Sequence, residues 1–151
     1  MIVMIAVCGQ SASENSSETD YAARRSVIDA LRSDRELDQS AAGTIAAMNA
    51  NSVALQQGMD TLSAQTKSLL ALIEEVTAIP KASNRYLSMA QERVETYLRD
   101  RVFQIESTIG AQSPQQAQAT YQSSKATLDE ARNDVRGMLF EYDPGLENTV
   151  P

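Results

Sequence analysis

The chain has 151 residues, enough for one domain with a real core and too few for two. Its 20 acidic and 13 basic side chains leave a formal charge of -7, and it holds no His, no Trp and a single Cys. Without His there is no Ser-His-Asp triad, no Cys-His pair and no histidine-ligated metal centre. One Cys forms neither an internal disulfide nor a multi-Cys metal site, and the acidic balance opposes non-specific nucleic-acid binding.

Residues 1–8, MIVMIAVC, are the most apolar run in the chain. Eight residues are too few to span a bilayer, which takes ~20. After Cys8 the composition changes abruptly: GQSASENSSETD is small, polar and acidic, and reads as a flexible tether over 9–20. An apolar run, a Cys, a Gly and a Ser-rich stretch together resemble a bacterial lipoprotein signal, with Ile5-Ala6-Val7-Cys8 at the lipobox positions. That resemblance implies that Cys8 is lipidated and becomes the first mature residue. It implies nothing about the activity of the remainder. Two other readings stand beside it: ordinary signal cleavage near Gly9, or a short buried apolar segment with Cys8 as a small hydrophobe.

From Tyr21 to Tyr142 the hydrophobic period is helical. Steps of four and three pick out Ala41, Ile45, Met48, Ser52, Leu55, Met59, Leu62, Thr66, Leu69, Ile73 and Val76. This predicts one long helix over about 37–79, ended by Pro80. Ser52 and Thr66 fall on its seam, and Thr66 is placed to bond back to a carbonyl of its own helix. Upstream, Ser33-Asp34-Arg35-Glu36 reads as a capping box, so the segment 21–32 is expected to fold back as a hairpin. A continuous helix is the competing reading, because Val27 and Leu31 share the heptad phase of Ala41. It would put Asp34 and Asp38 on the seam, which weighs against it.

Ser83 or Asn84 caps the next helix, over about 85–109, whose apolar face is Leu87, Val94, Leu98, Val102, Ile105 and Ile109. Gly110 is placed as its C-terminal cap. Ser113-Pro114-Gln115-Gln116 is a strong N-terminal signal for the last helix, with the seam Ala117, Tyr121, Ser124, Leu128, Ala131, Val135, Met138 and Tyr142. Asp143-Pro144-Gly145 stops it, and 143–151 is a C-terminal tail. The fold class is therefore all-α: an elongated antiparallel three- or four-helix bundle or coiled coil. Short linkers make the three later helices run up, down and up, with the N-terminal part of the long helix projecting beyond them.

Candidate functional residues are few. Arg93, Tyr97 and Arg101 recur at intervals of four on the middle helix, a pattern that suits a polar docking face. The segment 81–112 has five basic and four acidic residues and is the least acidic part of the chain. Intrahelical pairs such as Glu95–Arg99 are the plainer reading of those charges. Phe103 and Phe140 lie just off their seams, where they either widen the core or anchor a partner. Glu74, Glu75, Asp129, Glu130 and Asp134 are the tight acidic clusters and read as solvated faces. No catalytic residue, metal or cofactor is assigned, and nucleic acid is not expected as a partner.

The expectation is a non-enzymatic exported protein of the cell envelope, membrane-anchored through Cys8 and facing the periplasm or exterior. It would act as an adaptor, spacer or accessory subunit for a protein partner. The alternative is a soluble, self-assembling coiled-coil component of phage or secretion-system type, located in the cytoplasm.

Overall fold

The structure is a computed structural model that describes the backbone of residues 8–151 and side chains from Ser17 onward. The apolar run 1–7 lies outside the described residues, as does the Cys8 side chain. The chain forms an all-α bundle, and no strand occurs among the described residues. Its helices are α1 (Cys8–Asn49), α2 (Leu55–Ala78), α3 (Arg85–Ile109), α4 (Pro114–Ser123) and α5 (Lys125–Tyr142). A 3-10 turn over Pro144–Leu146 follows. No helix among the described residues is long and apolar enough to cross a membrane.

Helix α1 runs unbroken through Ser33–Glu36, so the hairpin expected there is not formed. It also takes in residues 9–20, which composition assigns to a tether. Its buried stripe includes Val27, Leu31, Asp34, Ala41, Ile45 and Met48, the continuous heptad phase, with Ala23 and Ala30 buried beside it. The reversal comes later, at 50–54, and it divides the single helix expected over 37–79. Asn51 adopts a left-handed conformation with φ 56. The Ser52 N–H reaches back to the Ala47 carbonyl at 3.0 Å and the Asn51 N–H to Met48 at 3.1 Å. This is the helix-ending pattern that Gly usually provides, and Asn is the side chain that best tolerates it. Asn49 secures the corner by donating to the carbonyls of Ile45 and Pro114. The Ala41–Met48 stretch is consequently buried along the bundle and is not an overhang.

Helix α2 returns antiparallel to α1, with Met48 of α1 lying directly over Gly58. A Cβ on Gly58 would sit 2.1 Å from the Met48 sulfur, so glycine is what lets the two helices approach here. Thr66 is buried and donates to the Leu62 carbonyl of its own helix. Pro80 lies two residues past the end of α2, consistent with its missing N–H. Asn84 is the cap of α3, accepting from the N–H groups of Tyr86 and Leu87. Helix α3 is the centre of the molecule and packs against α1, α2, α4 and α5.

Ser113 caps α4 by accepting from the Gln116 N–H, while the Gln116 side chain reaches back to the Gln112 N–H. Pro114 occupies the first turn, as the sequence signal requires. The last helix is not one rod, because Ser124 breaks it into α4 and α5. There the Ser123 and Ser124 hydroxyls bond to the carbonyls of Thr120 and Tyr121, competing with the helix ladder. The C-terminal segment folds back on the bundle: Leu146 and Val150 are buried, and Asp143 pairs with Arg24 of α1 at 3.7 Å. The chain thus runs up, down, up and down, with α4 and α5 in succession making the fourth pass.

Candidate functional site

The strict three-four spacing of α3 runs through Leu87, Ala90, Val94, Tyr97, Arg101, Gln104 and Thr108, and all of these are buried. The lower half of that seam is polar. It meets Asp34 and Asp38 on α1, Tyr121 on α4 and Arg132 on α5. The result is one buried network that ties four helices together.

Arg101, 3% exposed, is its hub. Its Nε and Nη2 donate to the two oxygens of Asp34 at 3.0 and 3.3 Å, a bidentate pair. Nη1 donates to Asp38 Oδ1 at 2.9 Å and to Gln104 Oε1 at 2.7 Å. Nη2 also donates to the Tyr97 hydroxyl at 3.0 Å. A guanidinium has five N–H groups, and each one is used. Tyr97 donates in turn to Asp34, and Tyr121 to Asp38. Gln104 passes its amide N–H to the Tyr121 carbonyl at 2.7 Å. Arg132 stands 3.7 Å from Asp34 and donates to the Leu31 carbonyl at 3.1 Å.

The charges balance, two carboxylates against two guanidinium groups. Burial works against the Arg101 cation, but Asp34 first and then its other anionic neighbours outweigh it and raise the pKa. Burial, followed by the charge of Asp34, pushes the Tyr97 phenol well above its ordinary value. Burial, followed by the hydrogen bond to Asp38, does the same for Tyr121. Both phenols therefore stay protonated and act as hydrogen-bond donors at neutral pH. The network holds its protons and joins the helices. A cleft of about 200 Å³ opens beside it between α1 and α4, lined by Asp38, Ala42, Ile45, Gln118, Tyr121 and Lys125.

The residues singled out as a docking face divide. Arg93 is exposed, while Tyr97 and Arg101 point into the core, so the three do not form one outward stripe. The intervals of four drift across the helix face and carry the later residues inward. Phe103 is 72% exposed and does not widen the core. Phe140 is half-buried against the core, with the Arg136 guanidinium 5.5 Å from its ring centre. Glu95 and Arg99 form the expected intrahelical pair at 2.9 Å. Asp34, Asp38, Gln104, Tyr121 and Arg132 join the network without having been singled out as site residues. Heptad spacing alone would have placed the first four on their seams. Among the described residues no group of acidic or sulfur ligands is placed to hold a metal ion.

No protein family, no curated protein and no solved structure matches the chain.

Proposed function

We propose that the protein is a non-enzymatic helical spacer or adaptor of a bacterial cell envelope, attached to a membrane through lipidated Cys8. The observation that carries this reading is the length of α1. At 42 residues it is ~63 Å long, against ~36 Å for α2 with its 24. Among the described residues the buried core begins at Ala23, fifteen residues or ~22 Å along α1 from Cys8. The helix thus holds the bundle away from the residue that would enter the membrane. The saturated network supports the same reading. Its ionisable groups are committed to one another, which suits a rigid body better than a proton-transfer site.

Metabolic labelling of the protein with a fatty-acid analogue tests this. Label on the wild type that Cys8→Ser abolishes is the expected result. Label that Cys8→Ser leaves undiminished, or no label at all, overturns it. The second reading, a soluble self-assembling component, is favoured by one separate observation, the outward face of α3.

A further inference from the structure

The outward face of α3 carries Met89, Glu92, Arg93, Thr96, Arg99, Asp100 and Phe103, all exposed. Phe103 is the most exposed large apolar side chain described, and Met89 is also open to solvent. Arg93 and Asp100 have no ion-pair partner among the described residues, although they have opposite charges and lie on one line of the helix. A two-fold operation requires self-complementarity: each feature must find its complement at an equal distance beyond the axis.

The spacing meets that condition about Thr96. Met89 lies seven residues before it and Phe103 seven after. Arg93 lies three before and Asp100 four after; Glu92 lies four before and Arg99 three after. Rotation about an axis perpendicular to the helix at Thr96 keeps each side chain on its own lateral edge. It therefore sets Arg93 against Asp100 along one edge and Glu92 against Arg99 along the other. Met89 and Phe103 meet between the two edges, and the small Thr96 meets its own copy at the axis, where close approach is needed. Every sign matches.

We propose that α3 is a homodimer interface, on which a second copy of this chain docks antiparallel, with Thr96 on the two-fold axis. The apolar pair excludes water at each end, and the charge pairs close the two edges. In a parallel two-fold alignment each side chain crosses to the opposite lateral edge, so Arg93 would face Glu92 and Asp100 would face Arg99; reversing Arg93 and Asp100 together would then worsen both contacts instead of restoring them. One helix face is a small interface, so the dimer is weak, with Kd in the micromolar range (~10 to ~100 µM). The inference rests on α3 alone and holds whether or not Cys8 is lipidated.

Sedimentation equilibrium of the full chain from ~1 to ~300 µM tests it. The wild type is expected to pass from monomer to dimer over that range. Phe103→Ser should weaken association tenfold or more, and the side chain is exposed enough to leave the fold intact. Arg93→Asp and Asp100→Arg should each weaken it about tenfold. The two together restore complementarity and should bring Kd back to within about threefold of the wild type. A strict monomer across the range overturns the proposal. So does a dimer that Phe103→Ser leaves unchanged, or a double variant no tighter than the singles. Cys8→Ser should leave the dimer unaltered, which separates this result from the fate of the membrane reading.

Discussion

Helix α1 is gripped from two sides by different means. Towards α2 the contact is largely apolar and small: Ala30, Leu37 and Met48 on α1 face a helix whose buried residues include Met59, Leu62, Leu69, Ile73 and Val76. The polar link described there is thin. Gln65 donates to the Ser40 hydroxyl at 2.8 Å, and its own carbonyl oxygen has no partner. Towards α3, α4 and α5 the middle of α1 is held by Asp34 and Asp38 in a network that uses every Arg101 donor. Apolar contacts supply most of the stabilisation and tolerate a shift of a turn, since one Leu or Ala replaces another. An ionic network of fixed geometry tolerates no such shift. The difference assigns stability to the α1–α2 side and register to the other.

The sharpest way to break this comparison is Arg101→Ala. Asp34 is fully buried and would be left with only Tyr97 and the more distant Arg132 as partners. The expected loss is about 3–5 kcal/mol in urea unfolding, with α1 loosened against α3. The converse variant replaces the whole hub: Arg101→Met with Asp34→Leu and Asp38→Leu. This should restore stability to within ~2 kcal/mol of the wild type or exceed it, while broadening amide resonances along α1. A triple variant that is stable and uniquely packed would remove the register role.

On the apolar side, Leu69→Ala is expected to cost about 3 kcal/mol, because the side chain is fully buried and leaves a cavity. It should leave the chemical shifts of Tyr97 and Tyr121 unchanged. A milder probe of the same side is Gly58→Ala. The new methyl would meet Met48, itself buried, and the side chain must find another rotamer. The expected cost is ~1–2 kcal/mol, with melting reporting it, and Met48→Ala in the same chain should relieve the clash.

These two sides also explain what could be read from the residues alone. The α2 stripe was legible because its apolar residues repeat within one helix. The caps at Ser113 and the stop at Pro80 were legible because a few adjacent residues determine them. The polar seam was not, because the partners of Asp34 and Asp38 are contributed by Tyr97 and Arg101, more than sixty residues away. An acid on a seam looks like an error until its cation is placed beside it. The turn at Asn51 was hidden for another reason: Met48, Ser52 and Leu55 keep heptad spacing straight across it. Only the conformational tolerance of one Asn marks the reversal.

The smallest expected effect is absent at neutral pH and emerges in alkali. An unfolded Tyr titrates near pH 10, while Tyr97 and Tyr121 in the bundle are held protonated to higher pH by burial and by Asp34 and Asp38. Above pH ~10 the unfolded chain therefore binds fewer protons than the native one, and stability falls as pH rises. The contribution is present in full below pH ~10 and is lost progressively beyond it. Tyr97→Phe removes one donor to Asp34 and should destabilise the protein at pH 8. It also removes one titrating group, so its stability should fall less steeply from pH 9 to 11, and the gap to the wild type should narrow. Tyr121→Phe should behave alike. Parallel curves for Tyr97→Phe would show that the network does not hold that proton, and the contrast between the two sides of α1 would lose its electrostatic half.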